Sequence, residues 1–416
     1  MLLYHLLVSL FAALVLARLA LRRDRSGLRQ RLARGPATDT PHIWLHAASN
    51  GELASARPVI RALQVARPDL PLIVTCNSET GVALAESWGL EARLAPLDLR
   101  RVARRMHRRW NVQAHIAMES ELWPHRVLTC PGPVFVLGGR LTESTARGWG
   151  LFGGLQARLL RRVALLSAQD AGSLERYRAA GLPPGAAGPV VDLKALYSPE
   201  TRHEAALDAA FPRETTWLAA STHEGEEEVV LAAHRRALEQ TPELRLILAP
   251  RHPRRGDEIA TLIRDHGLTC ARRSAGEAPG GAQVYLADTL GEMALLYPLA
   301  GRVFIGGTLT DRGGHTPYEP AAYGAALLHG PDVANFHAPF ARLDDAGAAL
   351  RVEDAGSLAA GLLRLATETA QRETGAAAQA LLRPEADAAT LVAAMLKHLQ
   401  PRSQSHRSPA QEGDEA

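Results

Sequence analysis

The sequence predicts two α/β domains of the Rossmann type, each built on a parallel sheet covered by helices on both faces. Three observations predict them: short apolar runs alternate with helix-length stretches, the alternation weakens once near the middle, and polar residues gather just after the apolar runs. At 416 residues the chain exceeds the size at which one hydrophobic core keeps growing, so two domains are expected. Hydrophobic residues make up 46% and charged residues 22%, which places the body among ordinary globular chains.

The chain begins with LLYHLLVSLFAALVLARLAL (2–21), apolar apart from His5, Ser9 and Arg18. About 20 such residues suffice to cross a bilayer as a helix. RRDRSGLRQRLARG follows directly, and excess arginine marks the cytoplasmic side. A secretory signal would carry its charge before the apolar run and a small-residue cleavage site after it, and neither is present. Residues 1–35 therefore read as a membrane anchor with a basic flank, the body lying on the cytoplasmic side. A helix in the plane of the interface, with Arg18 snorkelling, satisfies the same composition.

Strands are predicted at HIWLHA (42–47), LPLIVTC (70–76), ARLAPLD (92–98), AHIAME (114–119) and PVFVLGG (133–139). A second series runs through TWLAAS (216–221), LRLILAP (244–250), QVYLAD (283–288), RVFIGG (302–307) and AALLHG (325–330). The expected organisation is a first domain over 36–196, a linker over 197–214, a second domain over 215–400 and a polar, disordered tail over 401–416. Two such domains facing a central cleft form the GT-B arrangement of many glycosyltransferases. No sequence repeat relates the halves.

Cys76, Cys130 and Cys270 lie far apart without metal-ligand spacing, as small buried residues of a reducing compartment would. Only Lys194 and Lys397 are lysines among 47 basic residues, a compositional bias that makes each survivor informative. In LRRVARRMHRRW, Arg100, Arg104 and Arg108 recur every fourth residue with Arg101, Arg105 and Arg109 alongside, one broad basic helix face. It reads either as a solvated face or as a contact for acidic headgroups. No aromatic pattern accompanies it, so nucleic acid is not expected.

In open α/β sheets ligands sit beyond the carboxyl ends of the strands. The residues there are Ser49, Asn50, Gly51 and Glu52; Glu119 and Glu121; and Arg140. In the second half they are Ser221, Thr222 and His223; Arg251 and His252; and a glycine-rich loop ending in Glu319. Each has a plain alternative. SNGE could be a turn with Gly51 at positive φ, Glu119 and Glu121 could cap the next helix, and Glu226 to Glu228 complement a helix dipole.

In their order these segments resemble the Kdo transferases, which move 3-deoxy-manno-octulosonic acid from CMP-Kdo onto lipid A precursors. The resemblance rests on His46-Ala-Ala-Ser-Asn-Gly-Glu52, Glu119-Ser-Glu-Leu-Trp-Pro124, Gly138-Gly-Arg-Leu-Thr142, Ser221-Thr-His-Glu-Gly-Glu-Glu227, Pro250-Arg-His-Pro253, Asp288-Thr-Leu-Gly-Glu292 and Gly313-Gly-His-Thr-Pro-Tyr-Glu-Pro320. It covers nearly all of residues 1–400.

The resemblance implies a metal-independent, inverting transfer in lipopolysaccharide synthesis at the inner membrane, with no cofactor beyond the donor substrate CMP-Kdo. Glu52 matches the general base, and Glu119 the acid of the sugar-side motif. Pro250, Arg251, Ser221 and Thr222 match the donor site. Leu290, Gly291 and Glu292 match the segment beside the cytosine, and Thr316, Pro317, Tyr318 and Glu319 the loop holding phosphate and ribose. An anionic membrane surface and a lipid A precursor are the implied partners.

Three positions depart from the family pattern: Gly138-Gly139 replace Asn-Ala, Thr316 replaces Asn, and Val191 stands where a lysine belongs. Lys194, three residues on, is expected to take over that lysine's role. The departures leave open a paralogue of the same fold that binds lipid or nucleotide with little catalysis, or one using another nonulosonate or sugar nucleotide.

Overall fold

The computed structural model describes residues 2–150, 154–200 and 202–399; the tail expected over 401–416 lies outside them. The chain divides into two compact units, residues 1–196 with 384–416, and residues 197–383. The first sheet is made of β1 (His42–Ala47), β2 (Leu72–Cys76), β3 (Glu91–Leu94), β4 (Val112–Met118), β5 (Val134–Gly139) and β6 (Val163–Ala168). Its order is β3-β2-β1-β4-β5-β6. The second holds β7 (Thr216–Thr222), β8 (Arg245–Pro250), β9 (Cys270–Arg272), β10 (Val284–Leu286), β11 (Arg302–Ile305), β12 (Ala326–His329) and β13 (Ala349–Arg351). Its order is β13-β12-β11-β7-β8-β10-β9. The strand pairs are parallel, for example Ile43 beside Leu72 and Arg302 beside Trp217.

All ten predicted strands are present, and β6, β9 and β13 are additional. These three lie at sheet edges, and β9 and β13 span only three residues each, too short for a periodic signal. The central strands are buried on both faces, β1 and β5 along their whole lengths. Continuous apolar strands of this kind require helices on both sides.

The second domain does not run to residue 400. The chain leaves the second unit at Pro384, and the helix Ala388–Leu396 packs on the helix Asn50–Ala66 of the first. Leu391, Val392 and Met395 enter the same core as Val59, Ile60 and Leu63. Residues 197–214 group with the second unit and include the helix Ala205–Ala210.

The helix Leu2–Leu21 is long and apolar enough to cross a membrane by length and composition. The basic helix spans Arg100–Arg109, but its arginines are not one free face. Arg105 donates to the Leu32 carbonyl at 2.8 Å and Arg109 to that of Gly35, both half-buried. Those two hold the segment leading into β1, whereas Arg100, Arg101, Arg104 and Arg108 are exposed.

Met395→Ala should destabilise the first unit by about 2–5 kcal/mol, as truncation of a fully buried side chain does. Denaturant unfolding of the variant should show the loss in one transition and leave the second unit's transition in place.

Candidate functional site

A parallel sheet binds ligands where the strand order reverses, because the connections there leave in opposite directions and open a crevice. In the first unit that point lies between β1 and β4, and in the second between β7 and β11.

After β1, Ser49 caps the helix Asn50–Ala66, its side chain accepting from the Glu52 N–H at 3.2 Å. Glu52 folds back, accepting from the Ala48 N–H at 2.9 Å and from the Ser49 hydroxyl at 3.2 Å. This is the geometry of a capping box, shifted by one residue. Gly51 is the second residue of that helix and does not have positive φ, so the turn reading fails. Burial pushes the Glu52 carboxyl up to about 7; the Ala48 bond opposes this, and the charges of Glu119 and Glu121 add to it. A carboxyl at that value is matched to accepting a proton near neutrality.

After β4, Glu119 has φ +49°, a left-handed backbone that costs a non-glycine residue free energy. Burial raises its pKa, while the positive charges of Lys194 and Arg140 lower it. Glu121 behaves oppositely. Burial would raise it, but His46 at 3.3 Å and the Trp123 indole at 2.6 Å hydrogen-bond it and hold it below the usual carboxylate range. One switch point thus carries a carboxyl poised near neutrality and one locked as an anion.

Lys194 lies in the short helix Leu193–Leu196, half-buried, and its charge acts on Glu119. Val191 is buried in the core with Leu193 and Leu196, so a lysine there would have to surrender its charge or its packing. The Gly138 departure is conformational. Its φ of +64° suits glycine, and asparagine tolerates this region better than most residues.

In the second unit, four adjacent strands β11, β7, β8 and β10 deliver the candidate residues from their carboxyl ends. Ser221 has φ +59° at a register shift in β7, and its carbonyl approaches β11's end closely. A Cβ at Gly306 would lie 2.4 Å from the Ser221 oxygen, so only glycine fits. Thr222 donates to Glu227 at 3.0 Å, and Arg255 reaches the same carboxylate at 2.8 Å. The fully buried Glu226 accepts the N–H groups of His223 at 2.9 Å, Gly307 at 2.7 Å, Thr308 at 3.0 Å and Leu309 at 2.9 Å. Dipole complementation undersells both acids: they tie the helix Glu226–Leu238 to the neighbouring loops.

Across the β7–β11 switch point, His223 and His315 meet Nε2 to Nε2 at 2.9 Å, with His252 edge-on to His223 at 5.7 Å. Burial lowers the pKa of both, His315 to about 4, and the charges of Arg251 and Arg312 lower that of His223 further. Near neutral pH the pair is therefore uncharged, and the cations beside it are Arg251 and Arg312. Three backbone donors of the glycine-rich loop are already engaged within the unit. The N–H of Gly313 goes to Asp332 at 2.6 Å, that of Gly314 to the Gly307 carbonyl at 2.8 Å and that of His315 to the Gly306 carbonyl at 3.1 Å. Positive charge therefore falls to the side chains. His223 is expected here from its place beyond β7, whereas His315 and Arg312 are not, and only the pairing of His315 with His223 across the switch point brings that loop in.

Pro250 closes β8 and Arg251 is exposed beyond it. Pro317 and Tyr318 are buried; Thr316 is half-buried and accepts from the Tyr318 N–H at 3.3 Å. Burial raises the pKa of Glu319, which the Tyr297 hydroxyl hydrogen-bonds. After β10, Leu290 is 75% exposed and Gly291 has φ +79°. The Glu292 side chain is taken up by Arg273 at 2.7 and 3.1 Å, and its carbonyl accepts from the N–H groups of Leu295 and Leu296. Among the described residues no group of acids, histidines and cysteines could hold a metal ion.

Residues 26–196 match the family model of the 3-deoxy-D-manno-octulosonic-acid transferases. The chain is 33% identical over 344 residues to the 3-deoxy-D-manno-octulosonic acid transferase of Haemophilus influenzae, covering 78% of this chain and 80% of that protein. It belongs to the 3-deoxy-D-manno-octulosonic acid transferase family. The enzyme of that name from Bordetella pertussis is 32% identical over 361 residues, 82% of this chain and 83% of its own. Among solved structures, a glycosyltransferase of Rickettsia africae superposes with a TM-score of 0.52 at 11% identity, over 86% of this chain and 98% of its own. The glycosyltransferase VinC, in complex with dTDP, also gives 0.52, at 15% identity over 86% and 99%. The fold is GT-B, and this family member is a glycosyltransferase.

Glu226→Ala should leave the buried N–H groups of Gly307, Thr308 and Leu309 without an acceptor and destabilise the second unit by about 3 kcal/mol or more. Hydrogen exchange should show those three amides losing protection first.

Proposed function

We propose that this chain transfers Kdo from CMP-Kdo to a hydroxyl of a lipid A precursor at the cytoplasmic face of the inner membrane, for lipopolysaccharide synthesis. The observation that carries the reading is Glu52, whose carboxyl is poised at about 7 at the first unit's switch point. A sugar hydroxyl attacks only as its proton is removed. In the proposed step Glu52 takes that proton as the acceptor oxygen bonds to the anomeric carbon of Kdo. The bond from that carbon to the phosphate of CMP breaks, and the electron pair leaves on the phosphate. Arg251 and Arg312 meet the developing charge, with the neutral His223–His315 pair beside them. Attack opposite the leaving group inverts the anomeric centre. Glu119, with Lys194 and Arg140 around it, holds the sugar side. Leu290 and the Gly291 and Glu292 backbone lie against the base, Glu319 takes the ribose hydroxyls, and Ser221, Thr222, Pro250 and Thr316 to Tyr318 shape the donor site. No cofactor or metal is required, because the side-chain cations supply the charge stabilisation.

Transfer by the wild type should rise with pH along a limb centred near 7, as Glu52 loses its proton. Glu52→Gln should lower turnover by about 10²–10⁴-fold with CMP binding retained. The folded state keeps the Glu52 proton that the unfolded chain releases above its ordinary carboxylate value, so this group's contribution to stability falls as pH rises through that window. The Gln variant should therefore gain more in melting temperature at about pH 8 than at about pH 5. Wild-type turnover in the Gln variant would remove Glu52 from the step.

Lys194→Ala should cost roughly 10–100-fold in turnover, the worth of one charge-assisted contact, with the melting temperature nearly unchanged. Lys194→Arg should recover only part, since a planar guanidinium does not replace a compact ammonium. Full activity in both variants would make Lys194 incidental.

A further inference from the structure

The N-terminal helix supplies more than apolar length. Tyr4, Val8, Ala12, Leu16 and Leu19 are buried or half-covered, and their spacing of three and four residues is one face of a helix. Leu6, Leu7, Leu10, Phe11 and Leu14 remain 48–68% exposed. A spanning helix would leave the body within a turn or two, whereas this one is covered along one stripe for its length. Its start is pinned by the Tyr4 hydroxyl donating to Asp98 and by His5 stacked on His125, ring centroids 4.8 Å apart and nitrogens 3.3 Å apart. Its apolar face is thus presented sideways, as in a helix lying in a membrane surface.

Next to His5 opens a cavity of about 470 Å³, walled by His5, Arg100, Arg104, His125 and Arg158. That volume is within the roughly 300–1,000 Å³ of small-molecule sites. Arg100, Arg104 and Arg158 are exposed and, among the described residues, none forms an ion pair. Asp98 does not answer them, since it is engaged by Tyr4 and by the N–H groups of His125 and Arg126, each at 2.9 Å. Uncompensated guanidinium groups around one concavity fit a doubly charged, multi-oxygen anion, which accepts their paired N–H groups. Leu6 and Leu7 follow His5 directly, so an apolar tail attached to that anion continues along the exposed helix face.

We propose that this cavity binds the phosphomonoester headgroup of a membrane lipid, with the lipid's chains against the exposed face of an N-terminal helix lying in the membrane plane. Only the identification of that lipid with an acceptor rests on the function proposed above; binding itself needs no donor.

The test uses the full chain and phosphatidylcholine vesicles doped with either phosphatidic acid or phosphatidylglycerol at matched surface potential. Wild type should prefer the phosphomonoester vesicles by about tenfold or more, the worth of one charge-assisted hydrogen bond. Arg100→Gln with Arg104→Gln and Arg158→Gln should abolish that preference, and His5→Ala should reduce it. Nitroxides on Leu7→Cys and Leu14→Cys should report equal depth. A depth difference of about 10 Å, the rise of seven helical residues, would mean a spanning helix and overturn the proposal. Equal binding of wild type to both vesicles, or a preference that survives the triple substitution, would overturn it as well. So would inorganic phosphate binding to vesicle-free protein as tightly as the lipid binds, since that assigns the cavity to a soluble anion. Turnover is measured in parallel: lost transfer with the vesicle preference intact counts against the proposed function alone, and the reverse against the cavity alone.

Discussion

The second unit's site depends on one buried carboxylate. Glu226 is removed from solvent and would be prohibitively costly there without compensation. Four backbone N–H groups supply it, one from the loop after β7 and three from the loop after β11. The constraint propagates outward. With those amides committed, Gly306 must pass against the Ser221 carbonyl, and the chain returns so that Gly314 and His315 bond back to Gly307 and Gly306. His223 and His315 are brought together as a consequence. The charge of Glu226 is answered by backbone dipoles, so Arg251 and Arg312 at the mouth are not needed to neutralise it.

The first unit solves the complementary problem with the opposite charge. Its switch point collects carboxyl groups, and their environments drive them apart. Two hydrogen-bond donors keep Glu121 ionised, while burial and like-charged neighbours lift Glu52 toward neutrality. The Ser49–Glu52 cap serves fold and chemistry together: it ends the unsatisfied first turn of the helix and fixes the rotamer of the candidate base. Glu119 carries backbone strain at the same place, beside Lys194 and Arg140. One unit thus carries a carboxyl with raised proton affinity and the other exposed guanidinium groups.

The apparent departures from the family pattern look different once placed. Glycine at 138 occupies a left-handed position that asparagine also accepts, so the exchange preserves the backbone. Val191 is core, and Lys194, three residues on, stands half-buried where its charge acts on Glu119. Similarly, two arginines of the basic helix act as struts to the backbone of residues 32 and 35, which the helical spacing alone does not distinguish from its solvated members.

Fold class, the ten principal strands and the gathering of candidate site residues beyond the strand ends were determined by the sequence itself. Buried parallel strands must be continuously apolar, helix caps need particular side chains, and ligand loops need glycine, and all three are local patterns. What the tertiary structure alone decided were relations between distant residues. It returned Ala388–Leu396 to the first core, where Leu391, Val392 and Met395 pack with Val59, Ile60 and Leu63, more than three hundred residues away in the chain. It separated Glu52 from Glu121 in proton affinity, since burial and the His46 donor to Glu121 come from distant parts of the chain. It also made Glu226 a hub, although its position at a helix start offers only the dipole as a local explanation, because its partners lie some eighty residues on.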